Sequence, residues 1–216
     1  MNFKKTTLKE FRNLKGLLID LRSPDEYYKG HMPNSINIPL FNNDERAFIG
    51  KKFKIAGREK AVLEGLKIVE KNFDQLVGDL ITEYKKYTNK FKLEEINNPV
   101  KVYCARGGMR SFSINWLIEK IGYRSFKLEG GYKSYRNWVL SSFLEKRNIT
   151  LIGGKTGTGK TKILNDLIKN NFQAIDLEHL ANHRGSSFGG LGMAHQPSSE
   201  HFENLLAEEL INQSKS

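Results

Sequence analysis

Short apolar runs alternating with helix-like segments constrain this chain more than any other feature. Residues 16–21 (GLLIDL), 35–39 (SINIP), 100–103 (VKVY) and 125–128 (SFKL) are too short for helices and carry the aliphatic and aromatic side chains that suit strands. After the first run, Ser23, Pro24 and two acids predict a short helix over 25–29: an N-cap, a proline at N1 and a first turn that complements the helix dipole. Gly30 ends it. Ala61, Leu63, Leu66, Ile68 and Val69 predict a helix from Arg58, and 73–87 predicts another. Residues 111–121 place Phe112, Trp116, Leu117 and Ile121 on one helical face, and 132–144 closes the series. Strands alternating with helices predict an α/β fold, a parallel sheet flanked by helices on both faces. Functional loops in such sheets lie beyond the carboxyl ends of the strands. Asp20 and Cys104 both fall there.

Residues 145–148 (EKRN) are the expected domain boundary, since a new apolar run, 149–152, begins at once. The division is 1–147 and 148–216. There is no internal repeat or low-complexity tract. A net charge of +11 asks for an anionic partner: nucleic acid, phosphorylated small molecules or an acidic membrane. No apolar run approaches the roughly 20 residues that cross a bilayer, and the first residues lack the apolar core of a signal peptide. The expectation is a cytoplasmic protein that does not engage a membrane. The single cysteine can form neither an internal disulfide nor a cysteine-rich zinc site.

That cysteine stands in Val102-Tyr-Cys-Ala-Arg-Gly-Gly-Met-Arg-Ser111, a predicted strand, loop and helix. At such a junction unpaired backbone N–H groups and the helix dipole favour an anion, so they suit a thiolate or persulfide. Arg106 and Arg110 add positive charge. Gly107 and Gly108, with Ser111, let the backbone curl around the sulfur. Cys104 is thus the expected nucleophile, with Arg106 and Arg110 as its catalytic companions.

A second motif, Gly154-Lys-Thr-Gly-Thr-Gly-Lys160-Thr161, matches G-x-x-x-x-G-K-[ST] between a predicted strand (149–152) and a predicted helix (162–169). Its backbone, including Gly154, Gly157 and Gly159, would cradle phosphates. Lys160 would reach the outer phosphate, and the Thr161 hydroxyl would help to hold Mg²⁺. A further strand, 173–177, leads into the polar stretch 179–190 (HLANHRGSSFGG). His179 and His183 have helical spacing, but no third ligand accompanies them, and zinc is not expected.

Asp20-x-Arg22, Glu26, Gly30-His-Met-Pro33, Ile36-Asn-Ile-Pro39, Cys104 and Gly130-Gly-Tyr132 resemble a rhodanese domain. In that family the Asp, Arg and Gly-His positions hold the scaffold, so Asp20, Arg22 and His31 are expected to be structural. Five residues separate Cys104 from Arg110, one more than in the common short rhodanese loop. Cys-x5-Arg is also the spacing of tyrosine-phosphatase-like and arsenate-reductase-like enzymes. With GGKTGTGKT, 175–190 and Gln196-Pro-Ser added, the chain from about Leu18 to Leu206 resembles the tRNA 2-selenouridine synthases. The resemblance implies a rhodanese-like parallel sheet flanked by helices, followed by the N-terminal part of a P-loop α/β domain. It implies action on the wobble 2-thiouridine of tRNA, selenophosphate and geranyl diphosphate as substrates, and exchange of sulfur for selenium through a geranylated intermediate. Cys104 would then be the catalytic cysteine, and Gly154, Gly159, Lys160 and Thr161 would hold a phosphorylated group. Other readings are a general sulfurtransferase, a Cys-x5-Arg phosphatase or arsenate reductase, and an inactive RNA-binding remnant.

Family members continue past the Gln-Pro-Ser helix. Two strands and two helices after Arg147 fall short of a P-loop sheet, whose later acidic strand would supply a partner for Mg²⁺. The expectation is therefore a half-domain with uncovered apolar surface, from a fragment or completed by a second chain.

Overall fold

The computed structural model describes residues 6–92, 98–155, 157–186 and 188–213. It divides into two compact units, Met1–Tyr135 and Arg136–Ser216.

The first unit is built on a four-stranded, all-parallel sheet in the order β2-β1-β3-β4, with β1 Leu17–Asp20, β2 Ile36–Asn37, β3 Val100–Tyr103 and β4 Ser125–Lys127. Ile19 pairs with Ile36 on one side and with Val102 on the other, and Val102 pairs with Lys127. The two central strands are buried at every position. That explains their unbroken apolar character: a parallel strand covered on both faces has no solvent side on which to place polar residues. Asp20, which closes β1, is one exception, and Lys101 is the other. Its ammonium donates to Phe11 O (3.2 Å) and Leu14 O (2.8 Å), satisfying carbonyls at the end of α1 (Leu8–Asn13).

Helix α2 (Pro24–Lys29) starts as expected, with Ser23 at the N-cap. Between β2 and β3 the structure departs from the sequence reading. The separate helices expected from Arg58 and over 73–87 belong to one element, α3 (Asn43–Phe91), which begins fifteen residues before Arg58. Asn42 caps its start by a reciprocal bond pair with Glu45, at 2.9 Å each way. At Gly57 the backbone leaves helical geometry (φ 81°, ψ 176°), a conformation open to glycine but strained for other residues. The two arms lie side by side beyond that break. Asn72 donates to Glu45 (3.3 Å), and a Cβ at Gly65 would sit 3.8 Å from Ile49. α3 is therefore a helical hairpin with its tip at Gly57. The strand expected over 35–39 is regular only at Ile36–Asn37, although Ile38 N and Leu40 N still donate to Asp20 O (3.0 Å) and Leu21 O (3.3 Å), on either side of Pro39 at this sheet edge. Helices α4 (Met109–Lys120) and α5 (Gly131–Ser142) follow β3 and β4.

In the second unit, the residues of α5 from Arg136 onward accompany α6 (Lys160–Lys169), α7 (Leu177–Leu180) and α8 (Ser199–Gln213). Arg136 donates to Asn204 Oδ1 (3.0 Å) and pairs with Glu203, joining α5 to α8. The strand expected at 149–152 is irregular backbone here, as are residues 173–176 of the one expected at 173–177, whose Leu177 opens α7, and no sheet forms among the described residues of this unit. A strand needs a neighbour to take its N–H and C=O groups. Ile149, Leu151 and Phe172 stand exposed, as side chains without a layer to cover them.

Candidate active site: the cysteine loop and the glycine-rich loop

Cys104 follows β3 directly, and residues 104–108 turn into the start of α4. The residue is 3% exposed and packs with core side chains of the sheet. Its sulfur is 3.2 Å from Ser111 Oγ, and that hydroxyl lies 3.2 Å from Gly108 O. Ser111 is itself fully buried, so the first turn of α4 holds the sulfur from within.

The loop is closed from the other side by the start of α5. Tyr132 N donates to Cys104 O (2.8 Å), Lys133 N to Ala105 O (3.0 Å), and Lys127 Nζ to Gly107 O (3.2 Å). The carbonyls of Cys104, Ala105 and Gly107 are thereby engaged. The N–H groups of Arg106, Gly107 and Gly108 find no acceptor among the described residues. Gly107 is at φ 65°, and successive free N–H groups in such a curl form an anion-binding concavity.

Two glycines permit this approach. A Cβ on Gly131 would lie 2.2 Å from Cys104 O and 2.4 Å from Gly107 N, and one on Gly107 would lie 2.8 Å from Leu128 O. Gly131→Ala should therefore push the loop off α5. We expect about 2 kcal/mol lower stability in urea unfolding, the magnitude typical of overpacking at a tight contact.

The two arginines take different places. Arg106 is exposed. Arg110 pairs with Glu26 at 3.2 Å, and Glu26 also meets Arg46 of α3 at 3.5 Å. Burial opposes ionisation of Glu26, but the two guanidinium groups and the Ser23 N–H outweigh it and hold the carboxyl below its usual range. The sequence gives both arginines a common setting around the sulfur; the fold ties one of them to an acid on α2. Glu26 and Arg46 were not among the expected site residues. The signal that could have found Glu26 is its position three residues after the N-cap Ser23, where it accepts from Ser23 N at 3.2 Å.

Beneath the loop lies a buried polar platform. Asp20 and Arg22 are 0% and 4% exposed. The guanidinium reaches both carboxylate oxygens, at 3.0 Å through Nε and 2.6 Å through Nη2. It also donates to Gly30 O at 2.6 Å and stacks 3.7 Å over Tyr132, the residue whose N–H holds Cys104 O. His31 stacks on Tyr27 at 3.8 Å.

In the second unit, Gly157 and Gly159 have φ of 84° and 85°, and Gly159 caps α6. Lys160 Nζ donates back to Gly154 O (2.9 Å) and Lys155 O (3.1 Å), drawing the turn around its ammonium. Thr161 is exposed at the start of α6. Thr156 of this motif and Ser187 of the 179–190 stretch lie outside the described residues. Asp176 Oδ1 accepts from His179 N at 3.0 Å and so caps α7. No helix among the described residues is long and apolar enough to cross a membrane.

A parallel four-stranded sheet that delivers a cysteine loop to a glycine-closed junction defines a rhodanese-like domain, and residues 5–137 match that domain family. Residues 147–216 match the tRNA 2-selenouridine synthase AAA domain. The tRNA 2-selenouridine synthase of Sulfurovum sp. (strain NBC37-1) is 40% identical over 198 residues, 90% of this chain and 50% of that protein. The protein of the same name from Proteus mirabilis is 39% identical over 199 residues, 91% of this chain and 51% of its own length. Among solved structures, the N-terminal domain of a protein from Clostridium difficile 630 described as ATP/GTP-binding has a TM-score of 0.53 and 33% identity. That match covers 63% of this chain and 99% of the solved one. The chain belongs to the tRNA 2-selenouridine synthase family and spans about half the length of the curated relatives it matches.

Proposed function

We propose that this chain carries the chalcogen-handling half of a tRNA 2-selenouridine synthase, a cytoplasmic transferase that replaces sulfur by selenium in wobble 2-thiouridine. The observation that carries the proposal is the cysteine loop, where a sulfur lies at a strand–helix junction and the N–H groups of the next turn, Arg106 to Gly108, find no acceptor among the described residues. Such a nest suits an anionic chalcogen or a selenophosphate oxygen more than a neutral ligand. In this reading Cys104 is the nucleophile, Gly107 and Gly108 supply amides, Ser111 positions the sulfur, and Arg106 is the cation free to meet substrate.

The P-loop residues Gly154, Gly157, Gly159, Lys160 and Thr161 would hold the diphosphate of geranyl diphosphate. The thiouridine sulfur would attack its C1 and release diphosphate. The selenium of selenophosphate then adds at C2, the geranylated sulfur leaves as geranyl thiol, and water takes the phosphoryl group from selenium as phosphate. The Cys-x5-Arg phosphatase reading is served less well, because Arg110 is engaged by Glu26 rather than free to grip a phosphoryl group.

The test is to incubate the chain with 2-thiouridine tRNA and selenophosphate, with and without geranyl diphosphate, and to analyse the nucleosides by mass spectrometry. Selenouridine formed only with both substrates is the expected product. An unchanged nucleoside pool together with hydrolysis of an aryl phosphate would transfer the assignment to a phosphatase.

A further inference from the structure

The tip of the α3 hairpin is not used by any of the chemistry above. Around it the sequence runs Lys51-Lys-Phe-Lys-Ile-Ala-Gly-Arg58, with five cations and one acid over 51–60. Structure puts this charge to use in a way that composition does not. Lys51, Lys54 and Arg58 are exposed, and Phe53 and Ile55 project among them at 55% and 85% exposure. A soluble surface explains the cations but not two large apolar side chains held out between them at a turn.

The tip is also next to the cysteine loop. Arg58 Nη2 approaches Met109 Sδ at 3.8 Å, and Met109, half exposed, is the first residue of α4, directly after the cysteine loop. The base of the same arm is tied to that loop through Arg46, Glu26 and Arg110. The hairpin thus meets α4 near its tip, through Arg58 and Met109, and α2 near its base, through Arg46 and Glu26.

We propose that this tip is the docking surface for the single-stranded loop of the RNA substrate, with Lys51, Lys52, Lys54 and Arg58 on phosphates and Phe53 stacked on an unpaired base. Cations interleaved with an exposed aromatic ring are what an unstacked strand needs: charge tracks the backbone, and any base has a face to stack. Duplex RNA keeps its bases stacked internally and offers Phe53 nothing. Gly57 sets the arm's reach, because it turns the tip back toward α4. The proposal rests on the tRNA reading above and adds where the RNA is held.

The test is fluorescence anisotropy on the full chain with a stem–loop RNA bearing 2-thiouridine in its loop, and with a duplex of the stem alone. Phe53→Ala should weaken stem–loop binding by about tenfold and leave duplex binding unchanged. The triple variant Lys51→Glu, Lys52→Glu, Lys54→Glu should weaken both, and should lower the slope of log affinity against log salt by about two. Circular dichroism and an unchanged rate of Cys104 alkylation would show that both variants keep the fold. If the native chain binds RNA and the folded variants bind it equally well, the surface is elsewhere and this proposal falls alone. If the native chain binds no RNA, it falls together with the tRNA reading. Variants that bind RNA normally but lose self-association would make the tip a protein interface, which also overturns it.

Discussion

Cys104→Ser should leave the chain folded and lower selenium transfer to RNA by about a thousandfold or more. An oxygen nucleophile in place of sulfur neither carries a chalcogen nor is ionised at neutral pH, and loss of a single nucleophile typically removes most of an enzyme's advantage over solution. The fold should tolerate the change. Serine is slightly smaller, and its hydroxyl can keep the contact with Ser111 that the sulfur makes at 3.2 Å. Stability should therefore change by about 1 kcal/mol at most, as for a near-isosteric replacement. Nucleoside mass spectrometry under single-turnover conditions reads the first quantity and urea unfolding the second. Transfer at the native rate in the serine variant would remove Cys104 from the reaction. Collapse of the fold would instead make it a packing residue of the core in which it lies.

Arg22→Ala is expected to have the largest effect on stability of any single change in the sheet. It deletes the partner of a fully buried carboxylate that receives three side-chain contacts at 2.6–3.0 Å. Asp20 would be left charged in the interior. Breaking a buried ion pair in this way costs about 3–5 kcal/mol, a large share of the roughly 5–15 kcal/mol that holds a domain together. Two further losses add to it: Gly30 O loses its donor, and Tyr132 loses the guanidinium stacked on its ring. Because Tyr132 N also holds Cys104 O, the cysteine loop should loosen with the sheet. Thermal denaturation checks the first part, and alkylation of Cys104 in the folded population checks the second, where a faster rate is expected. Arg22→Lys should not rescue it, since an ammonium cannot serve both carboxylate oxygens and Gly30 O in the planar geometry of the native pair. A variant as stable as the native chain would mean that water or a neighbour replaces the pair at no expense.

The parallel sheet was legible because its central strands are covered on both faces, and an apolar run such as 17–19, closed by Asp20, is too short for a helix. The cysteine loop was legible for a local reason as well. Its position between β3 and α4 follows from adjacent residues, and so does the glycine pair that lets it curl. What was not legible depends on contacts between distant residues. The first arm of α3 was missed because its apolar side chains, Phe48, Phe53 and Ile55, face outward and give no buried stripe. Its capping pair, Asn42 and Glu45, was the available signal. The hairpin turn hangs on one glycine whose dihedral angles are not written in any periodicity. The strands expected in the second unit had the right local composition, but a strand is a property of a pair.

The sequence alone determined which residues could be a nucleophile, a phosphate loop and a core strand, because each depends on side-chain chemistry and on neighbours within a few positions. Only the tertiary structure decided that Arg110 turns to Glu26, that Gly131 must be bare to admit the loop, and that α3 folds back to set its basic tip beside Met109. These are encounters between residues far apart in the chain. Their geometry is set by packing, which a linear pattern of charges and apolar groups does not specify.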